Sequence, residues 1–242
     1  MATIHFILQG KGGVGKSMIA SMLYQCLNHN EKKVLAFDTD PINSTLAGYQ
    51  EFNVQEIDIM KNGDIDPRQF DTLFDGLMTA PEDSHVIVDN GASSFVSLGA
   101  YLQQNDVLPT LAEEGHKVFF HSVVTGGQAL VDTVDCLADL ANGFPGSPIV
   151  VWLNPFFGEI QMEGKKFEDF KVYQEHVSQI HALINLPDVP PTTFGKDLEE
   201  LFAKRQSFQA GIESSYASIA VKTRLRRYWK QIQELVGNAD LM

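Results

Sequence analysis

Gly10-Lys11-Gly12-Gly13-Val14-Gly15-Lys16-Ser17 is the stretch that decides how the rest of the chain is read. It follows the apolar run Ile4-His5-Phe6-Ile7-Leu8. It precedes Met18-Ile19-Ala20-Ser21-Met22-Leu23-Tyr24-Gln25-Cys26-Leu27, where apolar residues recur at helical spacing. In the context of strand, glycine loop and helix, the spacing G-x-x-x-x-G-K-S predicts a phosphate-binding loop. Glycines keep Cβ atoms out of the way, so successive backbone N–H groups can turn inward around an anion. The helix start adds unpaired N–H groups and the positive end of its dipole. Lys16 is expected at the β- and γ-phosphates and the Ser17 hydroxyl on Mg²⁺. Gly10, Gly12, Gly13, Val14, Gly15 and Met18 complete the expected cradle for a nucleoside triphosphate.

Outward from the loop, strand candidates alternate with helical periodicities. Strands are predicted at 33–38, 54–59, 85–89, 117–124 and 149–153. Helices are predicted at 68–78, at 95–102 with Ser93 or Ser94 as cap, at 126–140 and at 169–184. Leu186-Pro187-Asp188-Val189-Pro190-Pro191 is expected as a loop or edge strand, because its three prolines cannot donate to a central ladder. Short helices at 197–204 and 208–212 precede a long one at 216–236. The alternation predicts an α/β fold: a doubly wound, mostly parallel sheet flanked by helices, forming one domain over 1–242.

Composition narrows the function classes. The chain has 242 residues, of which 44% are hydrophobic and 20% charged, as in ordinary globular proteins. A net charge of −13 repels nucleic acid at long range, so any DNA or anionic-membrane contact would need a local basic patch. No apolar run approaches the length of a membrane span, and the amino terminus enters a strand with no export signal. A cytoplasmic location is expected. Cys26 and Cys136 fall in predicted helices and read as reduced thiols. The histidines are scattered without metal-binding spacing.

Three carboxylates end predicted strands. Alternation puts Asp38 and Asp40 of Asp38-Thr39-Asp40-Pro41 on one face, aimed at the carboxyl end of the sheet, where open α/β folds bind ligands. Asp89 stands at the tip of Val86-Ile87-Val88, where it would accept a hydrogen bond from a Mg²⁺-bound water. The competing readings are turn aspartates at 38 and 40, and an Asx turn before Asn90-Gly91. Asn154 ends the strand at 149–153, and Asn-Pro also terminates strands on its own.

The second lysine, Lys11, gives the loop the form Lys11-Gly12-Gly13-Val14-Gly15-Lys16-Ser17, which resembles the deviant Walker A motif of the ParA/MinD family of ATPases. The resemblance implies ATP and ADP as ligands with Mg²⁺. It also implies a homodimer formed on ATP binding, in which Lys11 reaches the partner's nucleotide. By the same resemblance Asp40 lies at the attacking water, Asp38 nearer the Mg²⁺ shell, and Asn154 at the adenine edge. Partition ATPases usually follow D-x-D-P with Gln, where this chain has Ile42-Asn43, and their D-x-P-P segment is here Asp89-Asn90-Gly91-Ala92. The chain is most similar to the family branch found in conjugative transfer regions of IncP-type plasmids. Asp38-Thr39-Asp40-Pro41, Val88-Asp89-Asn90-Gly91-Ala92-Ser93-Ser94-Phe95-Val96, Val123-Val124-Thr125-Gly126-Gly127-Gln128-Ala129-Leu130 and Val151-Trp152-Leu153-Asn154-Pro155 carry that likeness. It implies an ATP-dependent dimerisation switch with slow hydrolysis, beside an unidentified partner of the transfer machinery. The rival readings are a nucleotide-responsive scaffold with negligible hydrolysis, a plasmid partition or positioning ATPase, and a small-molecule kinase.

The helix at 216–236 is basic and amphipathic. Lys222, Arg224, Arg226, Arg227 and Lys230 flank a stripe of Val221, Leu225, Tyr228, Trp229, Ile232, Leu235 and Val236. The favoured expectation is that this stripe packs on the chain's own core. A peripheral contact with the inner face of the membrane, or with DNA, is the alternative.

Overall fold

The computed structural model describes residues 1–241. In chain order the elements begin with β1 (Thr3–Ile7), α1 (Lys16–His29), β2 (Lys33–Asp38) and β3 (Val54–Glu56). A small hairpin of β4 (Met60–Lys61) and β5 (Asp64–Ile65) leads to α2 (Phe70–Met78), β6 (Ser84–Asp89), α3 (Phe95–Gln104) and α4 (Val107–Glu113). Next come β7 (Lys117–Thr125), α5 (Leu130–Gly143), β8 (Ile149–Asn154) and a second hairpin of β9 (Gln161–Met162) and β10 (Lys165–Lys166). The chain closes with α6 (Lys171–His176), β11 (Ile180–Asn185), α7 (Lys196–Ala203), α8 (Phe208–Glu213) and α9 (Ile219–Gly237).

Seven strands form the central sheet in the order β11-β8-β7-β1-β6-β2-β3, and every pairing in it is parallel. The inner strands β6 and β8 are buried along their whole length because both faces of the sheet are covered. Ile4, Phe6, Val88 and Phe120 face α2 to α6. Ile7, Ile87, Val123 and Trp152 face α1, α7, α8 and α9. At about 25 cal/mol per Å² of apolar surface removed from water, these two layers supply most of the driving force for folding. The doubly wound parallel sheet is as the alternation predicted.

Two local expectations fail. The periodicity over 169–184 predicts one helix, but the chain forms the short α6 and then β11, which pairs with β8 through Leu183↔Val151 and Asn185↔Leu153. A short apolar run does not distinguish strand from helix, and the open edge of β8 offers the backbone a full set of partners. Ser94 occupies the cap position of α3, yet its hydroxyl donates to Asn90 Oδ1 at 2.9 Å and Gly91 O at 3.2 Å instead of capping the helix. The sequence also gives no sign of α4. Its Pro109 sits in the first helical turn, where a missing N–H is tolerated.

The long helix begins at Ile219 behind Ser218, whose hydroxyl accepts from Val221 N–H, and Tyr216 lies outside it. Leu225, Tyr228, Ile232 and Val236 are buried against the second layer, Arg224 pairs with Asp197 and Lys230 with Glu234. The favoured packing expectation for this helix is therefore met. Among the described residues no helix is long and apolar enough to cross a membrane.

One polar feature runs through the apolar layer under α1 and α9. Trp152 Nε1 donates to His121 Nδ1 at 3.0 Å, His121 Nε2 meets His5 Nδ1 at 3.0 Å, and His5 Nε2 meets His85 Nδ1 at 3.1 Å. The four residues stand on the adjacent strands β8, β7, β1 and β6, each two register positions nearer the amino edge than the last. Hydrogen bonding of this kind is what allows the rings to be buried at all.

Candidate functional site

The glycine loop lies between β1 and α1, at the carboxyl edge of the sheet. Gln9 anchors its entry: Nε2 donates to Val123 O at 2.7 Å and Thr133 O at 3.3 Å, while Oε1 accepts from Lys11 N–H at 3.2 Å. Gly15 caps α1 with φ of 107°, a left-handed conformation that disfavours any side chain. Asn154 closes against it from β8, with Nδ2 donating to Val14 O at 3.0 Å and Oδ1 accepting from Phe156 N–H at 3.2 Å. Each end of this amide keeps one further hydrogen-bonding capacity. Lys16 is buried and its Nζ donates to Lys11 O at 3.1 Å across the loop. Burial lowers its pKa, and the nearby Asp89 and Asp40 carboxylates oppose that shift.

Asp38, Asp40 and Asp89 come together opposite Lys16. The pairing of Asp38 with Asp40 rests on a turn instead of strand alternation, because β2 stops at Asp38. Asp38 Oδ1 accepts from Asp40 N–H at 3.1 Å and its Oδ2 from Ala47 N–H at 3.0 Å, which fixes the loop between them. Burial pushes its carboxyl up to about 6, against those hydrogen bonds. Asp40 is half-buried, and its Oδ1 accepts from Ile42 N–H at 2.9 Å and Asn43 N–H at 3.1 Å. Its carboxylate lies so close over Gly91 that a Cβ there would come within 2.8 Å of Asp40 Cγ. The segments after β2 and β6 are tied by Thr39, whose hydroxyl bonds to Asp89 O at 3.2 Å and Asn90 Oδ1 at 3.0 Å. Gln9, Thr39, Asn90 and Ser94 hold this constellation, a part that sequence reading assigns to none of them. The one available signal is a polar residue, Gln9, between an apolar strand and its glycine loop.

Asp89 is the exception to the satisfied network. Both carboxylate oxygens are buried with no hydrogen-bond partner among the described residues. Burial first, then Asp38, pushes its carboxyl up to about 7, while Ser17 and Lys16 oppose the rise. The orphaned buried carboxylate of Asp89 and the Ser17 hydroxyl are hard oxygen groups of the kind that suit Mg²⁺, with the Lys16 ammonium beside them. No cluster of three His, Cys, Asp or Glu side chains could hold a metal among the described residues.

Lys11 does not point into this cluster. Its Nζ pairs with Asp132 Oδ2 of α5 at 2.6 Å, both side chains being about half exposed. Beside the loop a cavity of about 900 Å³ extends from Gly13, Gly15 and Met18 past Asn154 to Leu186, Pro187 and Asp188. The proline-rich loop expected at 186–191 forms the wall of this cavity.

The buried groups give acid sensitivity a definite sign. Burial lowers His5 well below 6.5, His121 to about 3 and His85 to about 4, so the unfolded chain binds these protons first as pH falls. Those three contributions are complete above pH 6.5 and are lost below it. Asp38 and Asp89, with raised folded values of about 6 and about 7, act in the opposite direction. Three histidines against two aspartates leave about one proton. Urea unfolding of the nucleotide-free chain between pH 6 and pH 4 is expected to show stability falling by roughly 1 kcal/mol per pH unit from these groups. Stability rising toward pH 4 would contradict neutral buried histidines.

Residues 5–235 match the family model described as the CobQ/CobB/MinD/ParA nucleotide binding domain, and the chain belongs to that family. It is 44% identical over 243 residues to Protein TraL of Escherichia coli, with 100% of each chain covered. The MinC:MinD cell division protein complex of Aquifex aeolicus matches with a TM-score of 0.55 at 15% identity, covering 93% of this chain and 94% of that one. A putative plasmid partition protein of Borrelia burgdorferi bound to AMPPNP matches with a TM-score of 0.51 at 16% identity, covering 98% and 99%. At these identities the structural likenesses speak for the fold alone.

Proposed function

We propose that the chain is a Mg²⁺-dependent ATPase switch in which ATP brings two copies together, glycine loop to glycine loop, and hydrolysis releases them. The observation that carries this reading is the buried, unpartnered Asp89 carboxylate set against Lys16 and Ser17 at the start of α1. When bound, Mg²⁺ neutralises charge on the β- and γ-phosphates. The loop N–H groups and Lys16 hold the triphosphate, Asp89 orients water near Ser17, and Asp40 Oδ2 is left to orient the attacking water. Asn154 positions the loop through Val14 and offers its remaining N–H and lone pair to the base. The exposed Ile42, Val96 and Val131 stand within two positions of Asp40, Phe95 and Asp132, which border the loop, and they supply apolar surface for a second copy. The likeness to TraL supports a role in conjugal DNA transfer, where the dimer is the form read by a partner protein. The full span 1–242 acts as one domain.

A second reading, a nucleotide-responsive scaffold with negligible hydrolysis, draws support from two contacts. Lys11 is held by Asp132 of its own chain, and Asp40 Oδ1 is committed to turn N–H groups. Phosphate release from ATP separates the two. Under the switch reading Lys11→Ala lowers turnover at least about 100-fold, as loss of a cation supplied from the partner does elsewhere, while ADP binding to the monomer is unchanged. Negligible phosphate release by the unmodified chain, unchanged in Lys11→Ala, would favour the scaffold.

A further inference from the structure

The diagonal chain of buried rings has a fixed direction. The indole N–H of Trp152 can only donate, so His121 Nδ1 must accept. His121, neutral in its buried place, then carries its proton on Nε2 and donates to His5 Nδ1. His5 in turn donates from Nε2 to His85 Nδ1. The proton of His85 is therefore on Nε2, which has no partner among the described residues. His85 exposes only 6% of its surface, and it lines a second cavity of about 300 Å³. That cavity opens at the amino ends of β1, β6 and β7, the opposite edge of the sheet from the glycine loop.

The rest of the lining has the chemistry of an anion receptor. Lys32 and Lys117 border the cavity and neither forms an ion pair among the described residues. Thr3 borders it too, and Asp83 is the single carboxylate in the lining. Two lysines and the oriented N–H of His85 outweigh that one exposed carboxylate. The volume holds a tetrahedral oxyanion with several waters.

We propose that this cavity is a binding site for a phosphate-class oxyanion, free or at the end of a small phosphomonoester, with the His85 Nε2–H as donor and Lys32 and Lys117 as counter-charges. The ladder's role is then to fix the tautomer: without Trp152 and His121 at its far end, His85 could present a lone pair to the anion instead of a proton. The site does not depend on the reading of the glycine loop.

The test uses the full chain with histidine ring nitrogens labelled, saturated with ADP and Mg²⁺ so that the glycine loop is filled. Potassium phosphate is added above neutral pH at constant ionic strength, and long-range proton–nitrogen correlations report each ring. His85 is expected to show the Nε2–H tautomer and to shift saturably, with His176 of α6 unmoved. Glycerol phosphate in a parallel titration distinguishes a phosphomonoester site, which it fills, from one that takes only the free ion. Lys32→Gln with Lys117→Gln, neither side chain being buried, is expected to weaken the effect about tenfold per lysine. A linear, unsaturable drift in the unmodified chain, or saturation unchanged in the double variant, would overturn the proposal. Failure of ADP to bind would count against the loop reading only, since the readout is at His85.

Discussion

Asp40→Ala is expected to lower ATP hydrolysis at least about 100-fold while leaving ATP affinity nearly unchanged, as measured by phosphate release and by equilibrium titration. Asp40 sits at the mouth of the carboxylate cluster with Oδ1 engaged by Ile42 and Asn43 N–H. Its Oδ2 is the oxygen left for a water. Removing the side chain also removes the two turn bonds, an effect of about 1 kcal/mol on the loop. Asp40→Asn separates the two effects, because the amide oxygen can keep the turn while the negative charge is lost. Both variants inactive would assign the loss to the carboxylate. Activity of Asp40→Asn close to that of the unmodified chain would assign it to the turn.

Lys16→Ala should abolish nucleotide binding at working concentrations. In the free chain Lys16 is buried against the loop carbonyl of Lys11, within the field of Asp89 and Asp40. It is thus desolvated in advance, beside the loop that would hold the phosphates. Two charge-assisted hydrogen bonds to phosphate oxygens are worth about 1.5–3 kcal/mol each, so affinity should fall by about 100-fold or more. The measurement is calorimetric titration with ADP and Mg²⁺. Near-normal affinity would remove Lys16 from the phosphate site, and with it the reading of the loop.

The glycine loop, the strand-ending aspartates and the parallel sheet were legible because each is written in contiguous residues. Other parts were not, for a common physical reason. Gln9, Thr39 and Asn90 bond to segments brought beside them by the parallel topology, as Gln9 does to Val123 and Thr133 and Thr39 to Asn90, while Ser94 holds Asn90 from within its own turn. The histidine ladder joins residues 116, 80 and 31 positions apart, and only the register of four adjacent strands aligns them. The helix expected over 169–184 failed because the open edge of β8 decided the conformation of Ile180–Asn185. Asp38 illustrates a subtler limit. Its carboxylate was visible in the sequence, but not that its two oxygens accept the Asp40 and Ala47 N–H groups and so tie the loop that carries Asp40.

The central claim is that ATP, and not ADP, joins two copies. Light scattering coupled to size-exclusion chromatography measures this directly, with the unmodified chain and Asp40→Ala each run in ADP with Mg²⁺ and in ATP with Mg²⁺. The account predicts monomer mass in ADP for both, and twice that mass for Asp40→Ala in ATP, where the pair is trapped before hydrolysis. One and the same mass in every nucleotide would contradict it.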